Sequence, residues 1–209
     1  IEERLAYLRN LEQRRQEILT AIASQEKLTP ELEKAINAAE KMQTLEDLYL
    51  PYRPKRRTRA QIARENGLEP LAQLIEEQGK ALLPLEQLAA MHIVEEKGIA
   101  TVEDAWQGAC DIVAENISDS AEVRKLLRKE LWNAGELVSE LIIDEKDAPE
   151  FLQYRDYSEP VRQLPPHRIL AMNRGEDKKA LKISLRCPDE KLIAKVAQKL
   201  NLKEQSPFY

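Results

Sequence analysis

Leu5, Leu8, Leu11, Ile18, Leu19 and Ile22 recur at mostly helical spacing, with Arg14, Arg15 and Glu17 between them. This pattern predicts an amphipathic helix ending near Ser24. Thr29-Pro30 offers an N-cap followed by proline at the first helical position, where no N–H is needed. Leu32, Ile36 and Ala39 then carry a second helix to about Lys41, and the two make an antiparallel αα-hairpin. Thr44 is expected to cap a short helix with Leu45, Leu48 and Tyr49 on its apolar side and Pro51 as its stop.

Thr58, with Gln61 three residues on, opens the next helix in a capping-box pattern. Gly67 should end it with φ > 0, and Pro70, Leu71, Leu74 and Ile75 start another. Ala63 and Gly67 are spaced as a helix-turn-helix requires, a small residue at the crossing and then a tight turn. The second helix offers Gln73, Glu76, Glu77 and Gln78, however, and its acids repel phosphate. The pair therefore reads as a structural corner and not as a major-groove reader. Gly79 ends the second helix, and a compact helical connector runs through Leu82, Leu85, Leu88 and Ile93 around Pro84.

Thr101 and Asp104 open a helix whose wide apolar side holds Val102, Ala105, Trp106, Ala109, Cys110, Ile112 and Val113. Cys110 is expected to be a packed small residue. Val123, Leu126, Leu127, Leu131 and Trp132 form the next helix, halted by Gly135, and both tryptophans are expected to be buried. Arg124, Lys125, Arg128 and Lys129 line its other side, diluted by Glu122 and Glu130. Residues 137–143 fit helix or strand. Residues 144–160 read as an ordered loop, with room for a short helical turn, anchored by Phe151, Tyr154 and Tyr157. Pro165-Pro166 leads into a short helix over His167–Arg174 that should stop at Gly175, and a final one starts at Pro188-Asp189. Between them Leu181 to Leu185 alternates as a half-buried strand does. That strand needs a partner, either 169–172 if extended or residues beyond this chain.

The predicted fold class is mainly α, with a helix-turn-helix-like corner and a small β element near the C-terminus. Composition agrees: a third of the 209 residues are charged and only six are glycine, against the frequent turns of a β sandwich. No apolar run approaches the ~20 residues that span a bilayer, so no membrane partner is expected. Cys110 and Cys187 are neither metal-spaced nor numerous enough for a disulfide scaffold, which suits a reducing cytoplasm. The chain begins with Ile1 inside a helical pattern and is expected to be a piece of a longer protein.

Charge changes the picture at one place. Between Pro51 and Arg64 lie Arg53, Lys55, Arg56, Arg57, Arg59 and Arg64 with no acid, in a chain of net charge −5. Pro51 and Pro54 keep the start of this stretch non-helical, so the island is a loop running into a helix N-terminus. Free N–H groups there and guanidinium forks both suit phosphate. The alternative is a solvated basic loop pairing with the acidic remainder of the chain. Catalytic chemistry has little footing: His92 and His167 have no second ligand at helical spacing, no phosphate-binding glycine motif occurs, and no cofactor is implied. A non-enzyme is expected.

The run Leu45-Glu-Asp-Leu-Tyr-Leu-Pro-Tyr-Arg-Pro-Lys-Arg-Arg-Thr-Arg-Ala60, with Ile62-Ala-Arg64 and Gly67-Leu-Glu-Pro-Leu-Ala72, closely resembles the bacterial transcription accessory family called Tex. Glu96-Lys-Gly98, Val102-Glu-Asp-Ala105, Asp156-Tyr-Ser-Glu-Pro160, Pro166-His-Arg-Ile-Leu-Ala171 and Arg174-Gly-Glu176 agree as well; Gln153-Tyr-Arg-Asp-Tyr157 is a partial match. The resemblance implies a cytoplasmic, multidomain RNA- and DNA-binding protein with a helical amino-terminal region, a YqgF-like domain, helix-hairpin-helix motifs and a carboxy-terminal OB-type domain. It also implies that this chain is the amino-terminal part: a helical domain over 1–160, then 161–209 leading toward the missing YqgF-like domain. No catalytic residues are implied here. The expected role is an auxiliary nucleic-acid surface at Arg53–Arg64 in a transcription accessory factor. The rival is a scaffold whose basic loop docks on the missing domains or on a partner such as RNA polymerase.

Overall fold

The computed structural model describes residues 2–54, 56–79, 81, 83–203 and 205–208. Contacts divide the chain into two compact units, residues 1–124 with 202–209, and residues 125–201. The boundary expected after residue 160 instead falls within a single β-sheet of the second unit.

In the first unit, α1 (Glu2–Ala23), α2 (Pro30–Asn37) and α3 (Met42–Tyr49) close over Leu11, Ile18, Ile22, Ile36, Ala39 and Leu45. Leu5 and Leu8 belong to the same sequence pattern but stay exposed; in the early turns of α1 it is Tyr7 that packs on this core. Thr29 caps α2 as expected, its hydroxyl accepting from Leu32 N. The helix stops at Asn37, short of Lys41, because Arg15 of α1 donates to the carbonyls of Ile36, Asn37 and Ala39. A guanidinium satisfies the last-turn acceptors and complements the helix dipole. Thr44 is not the cap of α3. That helix starts at Met42, whose N–H finds Tyr7 Oη of α1 at 3.1 Å.

A 3₁₀ turn (Leu50–Tyr52) follows, then α4 (Arg59–Glu65), α5 (Glu69–Glu77), α6 (Leu85–Ala90) and α7 (Val102–Asp119). Gly67 has φ +88° and follows the end of α4, the left-handed turn that its place in sequence demands. The α4–α5 corner packs on α7 at Gly108, where a Cβ would lie 2.3 Å from Leu68 Cδ1 and 3.3 Å from Ala63 Cβ. Ala63 is buried there as the small residue of the crossing. Along α7 the buried positions are Ala105, Ala109 and Ile112, and Trp106 packs half-buried beside Phe208. Cys110 sits one residue, or 100°, past Ala109 and is exposed, contrary to expectation. It lines a small apolar pocket with Ile75, Leu85, Trp106 and Phe208.

α8 (Ala121–Ala134) ends before Gly135. Val123 is its buried residue, Leu126, Leu127 and Leu131 are half-buried, and Trp132 is 57% exposed. The expectation of a buried Trp132 is thus corrected. The run 137–143 resolves as strand up to Leu141: β1 (Glu136–Leu141) is central in a three-stranded antiparallel sheet, order β2-β1-β3, with β2 (Asp156–Pro160) and β3 (Leu181–Arg186). The lone strand expected near the C-terminus therefore pairs with β1, Leu137 opposite Leu185 and Leu141 opposite Leu181. Residues 169–172 are helical, within α9 (Pro166–Asp177). Gly175 does not end α9; it lies inside it and leaves room for Leu181, whose Cδ1 would be 2.5 Å from an added Cβ. The loop expected over 144–160 contains two 3₁₀ turns and β2, and it buries Phe151 and Tyr154 against Met172 and Leu181. Ser139, fully buried in β1, donates to the Tyr154 carbonyl at 2.6 Å. α10 (Asp189–Lys199) completes this unit.

Candidate nucleic-acid interface

The basic stretch is split by its surroundings. Arg53 and Arg56 are exposed and form no ion pair among the described residues. Lys55 lies outside the described residues. Arg57 Nη2 reaches Oε2 of Glu65, the last residue of α4, at 2.8 Å. That bond first, then Gln61, holds the Glu65 carboxyl below the usual carboxylate range. Arg59 is largely exposed and stands 3.7 Å from Asp111 of α7.

Arg64 is committed inward. Its Nε donates to Glu69 at 3.1 Å, Nη1 to Glu115 at 2.6 Å and Nη2 to Asn116 at 2.7 Å. Asn116 in turn donates to Glu76 at 2.7 Å. The guanidinium fork thus ties α4 to α5 and α7, with the side chains of Arg64 and Glu115 only 27% and 16% exposed. Charge-assisted bonds at such burial are stronger than surface pairs. The helix N-terminus expected to hold phosphate is also furnished from within: Thr58 Oγ1 accepts from Gln61 N and donates to Glu115 Oε1, both at 3.0 Å. α4 is seven residues long.

A groove of about 880 Å³ opens beside this network. Its exposed lining includes Lys27, Arg53, Pro51, Pro54 and Arg56; Tyr49, Tyr52, Arg64, Glu69, Glu115 and Asp119 are less exposed. Gln25 fixes one wall by donating to the Tyr52 carbonyl at 2.9 Å. Lys27, in the connection between α1 and α2, and Glu115, on α7, carried no sequence signal as site residues, being 26 and more residues from the island. Of the second basic surface, Arg124 pairs with buried Asp47 at 3.2 Å. Among the described residues no group of three His, Cys, Asp or Glu side chains is placed to hold a metal ion. Among the described residues, no helix is long and apolar enough to cross a membrane.

The first unit is mainly helical and carries an arginine-rimmed groove, and the second carries the three-stranded sheet. The chain belongs to the Tex family: the family model described as "Tex central region-like" matches residues 81–207. That description places these residues in a central region, where the resemblance had implied an amino-terminal one. The chain is 48% identical over 184 residues to "Protein tex" of Bordetella pertussis, covering 88% of this chain and 23% of that protein. It is 41% identical over 198 residues to "Transcriptional accessory protein Tex" of Neisseria gonorrhoeae, covering 94% and 26%. The human "S1 RNA-binding domain-containing protein 1" is 28% identical over 197 residues, covering 90% and 19%. The chain therefore spans about a quarter of the length of the curated relatives it matches.

Proposed function

We propose that this chain is a non-catalytic, nucleic-acid-contacting part of a cytoplasmic transcription accessory protein, with phosphate held at Arg53 and Arg56. The observation that carries the reading is the contrast within the basic stretch. Arg64 is consumed by Glu69, Glu115 and Asn116, whereas Arg53 and Arg56 stand exposed on a groove. Exposed arginines on a concave surface suit phosphate. The names of the relatives, an accessory factor of transcription and a protein with an S1 RNA-binding domain, agree with a nucleic-acid role.

The test is a fluorescence-anisotropy titration of the chain with a labelled oligonucleotide across salt concentrations. Each neutralised phosphate on a single strand contributes about −0.7 to the slope of log K against log salt. Three contacts, from Arg53, Arg56 and a rim lysine, should give roughly −2. Arg53→Glu with Arg56→Glu should weaken binding and flatten the slope while circular dichroism is unchanged. A folded sample that binds nothing at low salt refutes the role. A second reading is favoured by the Arg57–Glu65 and Arg59–Asp111 pairs, which show this stretch meeting carboxylates. On that reading the loop docks on an acidic protein surface, either other domains of the longer protein or RNA polymerase. Binding of such a surface by a chain that ignores oligonucleotides would select it.

A further inference from the structure

We infer that the free edge of β3 takes up an extended segment of a partner protein as a further strand, one that alternates apolar and acidic residues. The register leaves that edge open. Ile142 N donates to the Ala180 carbonyl at 2.9 Å, and Lys182, Ser184 and Arg186 stand opposite Glu140, Val138 and Glu136 in the same phase. Successive residues of a strand turn their backbone groups to opposite sides. Those three residues therefore bond to β1, and the N–H and carbonyl groups of Leu181, Ile183 and Leu185 point away from it. Among the described residues no other backbone segment meets them. Leu181 is buried, so the accessible edge runs from Lys182 to Arg186, with Leu185 52% exposed. The opposite edge of the sheet is poorer: β2 ends in Pro160, whose outward-facing position has no N–H. β3 has six residues with neither proline nor glycine among them. An unpaired edge of that kind is a template for strand addition.

Side chains select the occupant. Ile183 and Leu185 share the face of the sheet that carries Leu137 and Leu181, whereas Lys182, Ser184 and Arg186 lie on the other. Lys182 is exposed and forms no ion pair among the described residues; Arg186 reaches Glu140 at 2.6 Å. A second copy of β3 fits badly. Pairing the accessible stretch with itself centres on Ser184 and sets Lys182 opposite Arg186 at both ends, and like charges directly opposed are destabilising. Carboxylates at those two positions, with apolar residues opposite Ile183 and Leu185, complement both faces. The partner segment thus reads acidic, apolar, polar, apolar, acidic.

The experiment follows amide exchange by NMR on the isotope-labelled chain with a synthetic peptide whose core is Glu-Val-Thr-Val-Glu. In the free chain the amides of Ile183 and Leu185 should exchange faster than those of Lys182 and Ser184, which bond to β1. The peptide should slow the first pair at least about tenfold. N-methylation of both valines, whose N–H groups face β3 in this pairing, should abolish binding; N-methylation of the threonine, which faces away, should spare it. Lys182→Glu should weaken the peptide several-fold and favour one with lysine in place of each glutamate. Equal binding by the valine-methylated peptide, or binding that leaves the Ile183 and Leu185 amides unprotected, overturns strand addition. Slowing of those amides by raising the chain concentration alone, or by an oligonucleotide, assigns the edge to a second copy or to nucleic acid and overturns the peptide partner. Absence of peptide binding also removes the inference and leaves the phosphate contact proposed at Arg53 and Arg56 untouched.

Discussion

Arg56 and Arg64 stand eight residues apart in one basic stretch and meet opposite surroundings. Arg56 is exposed on the groove, whereas Arg64 is held by three side chains from α5 and α7. Counting charges along the chain treats the two alike, because the acids that claim Arg64 are remote in sequence at positions 69 and 115. Caps behave differently, since their partners lie three residues away. Thr101 and Asp104 form a complete capping box, Thr101 accepting from Asp104 N at 3.1 Å and Asp104 accepting from Thr101 N at 3.0 Å. The Thr101 side chain foremost, then the N–H groups of Thr101 and Ala100, hold the Asp104 carboxyl below its ordinary value. A depressed carboxyl contributes stability that is fully present above the unfolded pKa and lost as pH falls through the folded one. Asp104→Asn should therefore lower the urea midpoint at pH 7, and the gap to the parent should close below the ordinary aspartate range near pH 4. A gap of constant size from pH 7 to pH 2.5 would assign the effect to shape and not to charge.

At the scale of elements, periodicity located the helices well and their faces less well. α7 and α8 both appear where apolar spacing puts them, yet their tryptophans differ. Trp106 packs against the α4–α7 core, while Trp132 stands exposed one residue past the half-buried Leu131. One residue is 100° of helix, enough to move a ring from core to solvent. Trp106→Ala should cost about 2–4 kcal/mol in urea unfolding, toward the lower end of values for buried aromatics because the ring is only half-buried. Trp132→Ala should cost less than about 1 kcal/mol. Acrylamide should quench the Trp132 emission more strongly than that of Trp106, measured on the two single-tryptophan variants. The strands were less legible. β3 alternates, but β1 and β2 read as an ambiguous apolar run and a polar loop, since a strand is defined by its partner and β1 meets its partners 20 and 45 residues away.

Over the whole molecule, an acidic chain partly neutralises its own basic stretch. Glu65 and Asp111 each sit against an exposed arginine of that stretch, Arg57 and Arg59. Such surface pairs contribute little stability, so neutralising them is tolerable. On the proposed function they compete with phosphate. Glu65→Gln with Asp111→Asn should then raise oligonucleotide affinity several-fold and steepen the salt slope by up to about 1.4, two contacts at 0.7 each. An unchanged slope would exclude Arg57 and Arg59 from the contact. The family match agrees with the motifs that run from Leu45 to Glu176, because those motifs are contiguous strings and survive any folding.

The sequence by itself determined the mainly helical class, the caps at Thr29, Thr58 and Thr101, the turn at Gly67 and the concentration of positive charge at 53–64. Each rests on interactions within about four residues, which a linear reading can see. Only the tertiary structure decided that Arg15 ends α2, that Gly108 and Gly175 admit Leu68 and Leu181, that three distant segments form one sheet, and that Arg64 turns inward while Arg53 and Arg56 face a groove. Those outcomes depend on which remote atoms reach one another once the helices pack, and neither spacing nor composition encodes that distance.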